Sequence, residues 1–379
     1  MMDKKFNQQL GITLSRLGFG CMRFPYRDGK IDKPLVKSMF DTAYQAGVNY
    51  YDTAYVYHDG ASENLIGELL VDRYPRDSFY LADKLPGWKL PSQATIADMQ
   101  AIFAEQLQRL HTDYIDFYLV HSLNLADWQQ LRSCQITAFL DQLRQQGLVR
   151  HIGFSFHGQP AEILAIAADY DWDFIQLQIN YYDWQEQDAA KSYQLAVQAG
   201  LPIVVMEPVR GGILAALPES AFAPLQAARP QDTAAAWALR WVSSLPQVLV
   251  TLSGMSNLEQ MTENIRTYSD FTPLSPPESQ AIAATLEQLR KDPPCPCTNC
   301  NYCLSECPAQ LNIPETVQAA HIYRRFHNQQ VLANYLRLLD REKYPDNCQN
   351  CRACMAVCPQ HIEISAAMAE LATAIGRRS

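Results

Sequence analysis

Along the first 270 residues, short runs of consecutive apolar residues alternate with longer stretches in which apolar side chains return every three or four positions. The first pattern suits strands buried on both faces, the second helices with one buried face. Strands are expected at 17–23, 49–54, 79–85, 115–121, 150–156, 174–180, 202–207 and 248–253. Helices are expected between them, at 33–46, 63–73, 93–110, 128–146 and 232–244 among others. Eight strand–helix units close most naturally into a (β/α)8 TIM barrel of about 250 residues, an α/β fold whose reacting groups sit at the C-terminal strand ends.

A different pattern follows. Pro273, Pro276 and Pro277, a short helix, and then Pro293, Pro294 and Pro296 punctuate the chain. Proline clusters mark connections, so the barrel is expected to span 1–270, a linker 271–295 and a small second domain 296–379. Between Cys307 and Cys348 the helical period reappears in Val317, Ala320, Tyr323 and Phe326, and again in Val331, Tyr335, Leu338 and Leu339. The second domain should therefore be mainly helical.

Nine of the eleven cysteines lie in that last quarter, and eight of them repeat C-x2-C-x2-C-x3-C-P: Cys297, Cys300, Cys303, Cys307 and Cys348, Cys351, Cys354, Cys358. In this spacing three thiolates hold one iron–sulfur cube and the fourth, before the proline, holds the other. Two 4Fe-4S clusters are expected. Cys297, Cys300, Cys303 and Cys358 would bind the first; Cys348, Cys351, Cys354 and Cys307 would bind the second. A zinc site needs only four ligands, and a disulfide framework suits small secreted chains, so neither explains a duplicated run. Cys295 is a spare neighbour of the first ligand.

Composition excludes some partners. The formal charge of −9 gives no basic face for nucleic acid, since the last 89 residues carry nine Lys/Arg against eight Asp/Glu and the earlier part holds the acidic excess. MMDKKFNQQLG lacks a signal-peptide apolar stretch, and no run has the length of a membrane span. With free Cys21 and Cys134, a cytoplasmic protein is expected.

Asp52, Lys84 and His121 fall at the expected ends of the second, third and fourth strands, with Tyr57 five residues beyond Asp52. Singly, each reads as a solvated or packing residue. Together they make a proton donor. Tyrosine, with a pKa near 10, is a weak acid, and an ammonium held by a carboxylate lowers that value. His121 would then orient a carbonyl oxygen beside the phenol. His58, His157, His321 and His327 lack metal-ligand spacing. Trp88 is either a substrate wall or a rim cover, and Gly211–Gly212 reads as a tight turn.

At this point the chain resembles the aldo/keto reductases. The matching segments are GFGCMRFP (18–25), YDTAYVYHDGASENLIGELL (51–70), LADKLP (81–86), DFYLVHSL (116–123), RHIGFSFH (150–157), QLQINYYD (176–183), VVMEPVRGGIL (204–214) and SGMSNLEQMTENI (253–265). The cysteine runs add a resemblance to the subgroup with a C-terminal 4Fe-4S domain. The resemblance implies hydride transfer between NADPH or NADH and a small-molecule carbonyl, with Asp52, Tyr57, Lys84 and His121 as the catalytic tetrad. It implies that Ser155 and Gln178 touch the nicotinamide amide, that Met206 replaces an aromatic ring stacked on the nicotinamide, and that Glu263 and Asn264 bind the adenine. Relatives grip the 2′-phosphate with a cation in a loop that here reads SGMSNLEQ, without Lys or Arg. Both nicotinamides therefore stay open, with Arg210 and Arg266 as alternative cations. The competing function is an iron–sulfur electron-transfer or redox-sensing protein with the barrel as a docking body. A one-electron carrier such as ferredoxin would serve either reading, because a hydride carries two electrons and a cluster accepts one.

Overall fold

The structure is a computed structural model; it describes residues 2–186, 188–291, 295, 297, 300–326, 329–336 and 339–376. Two compact units emerge, one of residues 1–208 with 238–274 and one of residues 209–237 with 275–379.

The first unit is a closed barrel of eight parallel strands. They are β1 (Leu17–Gly20), β2 (Tyr50–Asp52), β3 (Tyr80–Leu85), β4 (Ile115–Leu123), β5 (Val149–Phe156), β6 (Phe174–Gln178), β7 (Ile203–Met206) and β8 (Val248–Ser253). Each strand pairs with its sequence neighbour and β8 pairs with β1, Thr251 lying opposite Leu17. Every expected strand is present, most of them shorter at the ends. Tyr50, Ala82, Phe117, Leu119, Phe174, Val204 and Val250 fill the interior together with Leu14 from an N-terminal hairpin, Lys4–Asn7 with Ile12–Ser15.

Helices start and stop where local chemistry directs. In Lys33–Ala46, Asp32 accepts the Leu35 N–H at 3.2 Å, and Val36, Met39, Phe40 and Ala43 form the buried face. Gly47, at φ +92°, ends it in the left-handed region that glycine enters without a Cβ clash. Ile96–Leu110 begins with a Thr95/Asp98 capping box and buries Met99, Phe103, Gln106 and Leu110. The single helix expected at 128–146 is two, Leu125–Ser133 and Ile136–Gln145, because Gln135 takes φ +62° and breaks the run.

In the second unit, Glu219–Ala228 packs against Pro276–Leu289, with the Thr285 hydroxyl donating to the Ala221 carbonyl at 2.9 Å. Residues 209–237 are grouped with residues 275–379 in this unit, and Pro276–Leu289 spans most of the expected linker. Gly211 and Gly212 both have positive φ, as a tight turn requires. The helical period between the cysteine runs yields Ile313–Phe326 and Gln329–Leu336. Val317, Ala320, Leu332 and Tyr335 share a core with Leu311, Met368 and Leu371. Pro293, Pro294, Pro296, His327 and Leu338 lie outside the described residues, as does the Val331 side chain.

Candidate active site and cysteine cavities

The C-terminal strand ends of the barrel open into a cavity of about 1260 Å3, its mouth included, lined by Asp52, Tyr57, Lys84, His121, Ser155, Gln176 and Met206 among others. Asp52 ends β2, Lys84 sits next to last in β3, and β2 and β3 are adjacent in register through Asp52 and Ala82. That adjacency brings the carboxylate to the ammonium. The Lys84 Nζ, fully buried, donates to Asp52 Oδ1 at 2.7 Å, to the Thr53 carbonyl at 2.5 Å and to Tyr57 Oη at 3.4 Å. All three ammonium protons are engaged, so the group has one orientation.

The electrostatics follow from burial. Burial pushes Lys84 down, but the adjacent Asp52 carboxylate more than offsets it, and the ammonium stays charged well above its ordinary range. Burial also raises Asp52, with Lys84 opposing. Tyr57 departs from expectation. Burial raises its phenol above the ordinary value, and the Lys84 charge only partly counters this. The physical reason is distance: the ammonium lies nearer Asp52 than the phenol, and an enclosed site penalises phenolate. Tyr57 therefore remains protonated at neutral pH.

His121 stands edge-on to Tyr57, with ring centroids 6.0 Å apart and planes at 79°, and packs on Trp88 at 4.9 Å. Burial first, then Lys84 and His157, depress its pKa to about 2. The ring is therefore neutral at ordinary pH. Trp88, His58 and His157 all line the cavity.

Ser155 on β5 faces the cavity, and its hydroxyl accepts the Ser122 N–H at 2.7 Å. Its register partner on β6 is Gln176. Gln176 is buried with an unpartnered Oε1 in the cavity wall and donates to the Met206 sulfur at 3.7 Å. Gln178, the residue expected from sequence, turns its amide onto Asp183 at 3.2 Å and does not line the cavity. The two positions lie on the same strand face, so alternation alone does not separate them. Asn264 is buried and donates to Ser253 Oγ at 3.0 Å, from a helix, Leu258–Ser269, that Asn257 caps by accepting the Gln260 N–H at 2.8 Å. Glu263 lies on the same helix, and neither it nor Asn264 lines the cavity.

Sequence reasoning missed Arg23. Its guanidinium pairs with Glu207 at 3.1 Å inside the cavity, its stem lies against Gly254, and its carbonyl accepts from Ser256 Oγ at 2.9 Å. It thus borders the very loop that has no cation of its own. Glu207 follows β7 at φ +55°, a strained conformation for a residue with a Cβ. No sequence signal joins residues so far apart.

The second unit has two smaller cavities of similar size, about 340 and 370 Å3. Cys297, Cys300, Cys303 and Cys358 line the first; Cys307, Cys348, Cys351 and Cys354 line the other. Each thus gathers three cysteines of one run and the last cysteine of the other. Among the described residues no three His, Cys, Asp or Glu side chains converge on one point as ligands of a single ion would. Cys295 packs against the same core without lining either cavity.

Comparisons with known proteins agree with this architecture. Residues 16–287 match the aldo/keto reductase family, and residues 296–363 match a 4Fe-4S dicluster domain. The chain is 27% identical over 285 residues to the uncharacterized oxidoreductase YqkF of Bacillus subtilis, covering 67% of this chain and 87% of that protein. It is 25% identical over 303 residues to the NADH-specific methylglyoxal reductase of Escherichia coli, covering 67% and 90%. Among solved structures, the holo form of an aldo-keto reductase from Bacillus halodurans superposes with a TM-score of 0.62 at 25% identity, covering 75% of this chain and 96% of that one. The chain belongs to the aldo/keto reductase family of oxidoreductases and carries in addition a C-terminal 4Fe-4S dicluster-type domain.

Proposed function

We propose that the barrel reduces the carbonyl of a small aldehyde or ketone to an alcohol at the expense of NADPH or NADH. The observation that carries this reading is the buried Lys84 ammonium joining Asp52 to Tyr57 at the cavity wall. Bound nicotinamide would supply the hydride. Tyr57 donates the proton to the carbonyl oxygen, Lys84 and Asp52 fix the phenol, and neutral His121 orients the oxygen beside it. Because the Tyr57 oxygen accepts from Lys84, its own hydrogen is free to point at substrate.

The donor set fits a nicotinamide. The unpartnered Gln176 Oε1 and the Ser155 hydroxyl suit a carboxamide, and Met206 offers a soft apolar surface. Arg23, on the rim of the 253–260 loop, is the cation we assign to the cofactor phosphates. Glu263 and Asn264 remain the adenine-side residues of this reading. The similarity to an NADH-specific reductase keeps NADH beside NADPH.

In the second unit the eight cysteines would hold two 4Fe-4S clusters, each with the crossed fourth ligand. Cys300 and Cys351, one from each cavity, are exposed, which favours exchange with a one-electron carrier such as ferredoxin over a purely structural role. The test is anaerobic preparation followed by metal analysis and nicotinamide oxidation with a panel of small carbonyls. About eight iron and eight sulfide per chain, with carbonyl-dependent oxidation of one or both nicotinamides, is the expected result. Zinc in place of iron, or no turnover with any aldehyde or ketone, would overturn the reading.

A further inference from the structure

Tyr57 opens a short turn, Tyr57–Gly60, in which three consecutive residues are left-handed: His58 at φ +52°, Asp59 at φ +56° and Gly60 at φ +87°. Glycine enters that region freely, whereas His58 and Asp59 hold it at a cost that their surroundings must offset. The phenol hangs from the first residue of this turn. Its bond to Lys84, at 3.4 Å, is the longest of the three that the ammonium makes. The backbone of the turn, more than the ammonium, therefore sets where the Tyr57 oxygen stands.

The His58 side chain supplies the restraint. Its ring stacks on Phe24, with centroids 5.3 Å apart and planes at 10°. Nε2 accepts the Phe24 N–H at 3.2 Å, and Nδ1 lies 3.0 Å from Tyr26 Oη. A backbone N–H only donates, so Nε2 carries no proton, and the neutral ring has its proton on Nδ1 and donates it to Tyr26. Phe24 is itself fixed. It is 1% exposed and stands edge-on to Phe19 of β1, at 6.3 Å, and to Phe40 of Lys33–Ala46, at 5.9 Å. Both nitrogens and a face of the His58 ring thus hold to the segment that follows β1, and β1 is the strand that pairs with β2 through Gly20 and Asp52.

We infer that His58 is a positioning residue for the proton donor. Held as the Nδ1–H tautomer between Phe24 and Tyr26, it fixes the left-handed turn and, through it, the Tyr57 phenol at the cavity wall. The ring lines the cavity, but its nitrogens serve this clamp and not the substrate. A phenyl ring at the same place would keep the stack and lose both bonds.

The rate effect rests on the reductase reading, but the tautomer does not, so the experiment has two arms. In nitrogen-15 spectra of the intact, histidine-labelled protein at neutral pH, the ring signals absent from His58→Gln should be those of an Nδ1-protonated imidazole. A proton on Nε2 would overturn the clamp. In His58→Phe the chemical step of carbonyl reduction should fall by about tenfold to a hundredfold, the scale of a displacement of up to about 1 Å, at unchanged nicotinamide affinity. His58→Gln can return an acceptor to the Phe24 N–H, and glutamine takes the same backbone conformation in this chain at Gln135, φ +62°. It should recover most of the loss, which a general packing defect would not allow. An undiminished chemical step in His58→Phe, where Tyr57→Phe is slow, would overturn the positioning role. Undiminished rates in both variants would overturn the reductase reading with it.

Discussion

In the barrel, Asp52, Tyr57, Lys84 and His121 come from three adjacent strands and one turn, and they meet only when those strands pair in register. In the second unit, three of the four cysteines of each cavity come from a single short run, and only the fourth crosses over. One site is made by tertiary register, the other by local spacing. The first should therefore fail sharply when one bond is cut, while the second should fail in halves.

The largest effect expected is in the barrel. Lys84→Met leaves Asp52 buried without its counterion and Tyr57 without its tether, so carbonyl reduction should fall by at least about 10²-fold in steady-state assays. Retention of wild-type turnover would break the contrast. In the second unit, Cys358→Ser should perturb the cluster held by the 297–303 run and leave the other intact. Cys307→Ser should do the opposite, which iron analysis and paramagnetic resonance would distinguish. Equal damage to both clusters by either change would contradict the crossed arrangement.

Smaller effects sharpen the picture. Arg23→Met should weaken NADPH binding by about tenfold, the scale of one charge-assisted contact, and lessen its dependence on salt. Asn257→Arg should shift preference towards NADPH, but it also removes the cap of Leu258–Ser269 and should lower stability by about 1 kcal/mol. Smallest is the response to pH. With His121 held near 2 and Tyr57 raised by burial, reduction should vary little between about pH 5 and 8 and fall only in alkali, as the phenol loses its proton. A limb near the ordinary histidine value would show that His121 titrates.

Much of this was legible because its signals are local. Apolar runs announced eight strands, polar residues at their ends announced Asp52, Lys84 and His121, and spacing announced the cysteines. The remainder depended on register and burial. Gln176, opposite Ser155, lines the cavity where Gln178 does not, Arg23 meets Glu207 through ring closure, and the Tyr57 shift reverses because desolvation outweighs a shared ammonium.

Tyr57→Phe tests the central claim most directly, since it retains the ring against His121 and deletes only the proton donor. Stopped-flow reduction of a small aldehyde by the anaerobic holoprotein, with nicotinamide affinity measured in parallel, should show a loss of at least about 10²-fold in the chemical step at nearly unchanged affinity. An undiminished rate with every carbonyl that the wild-type protein reduces would contradict the account.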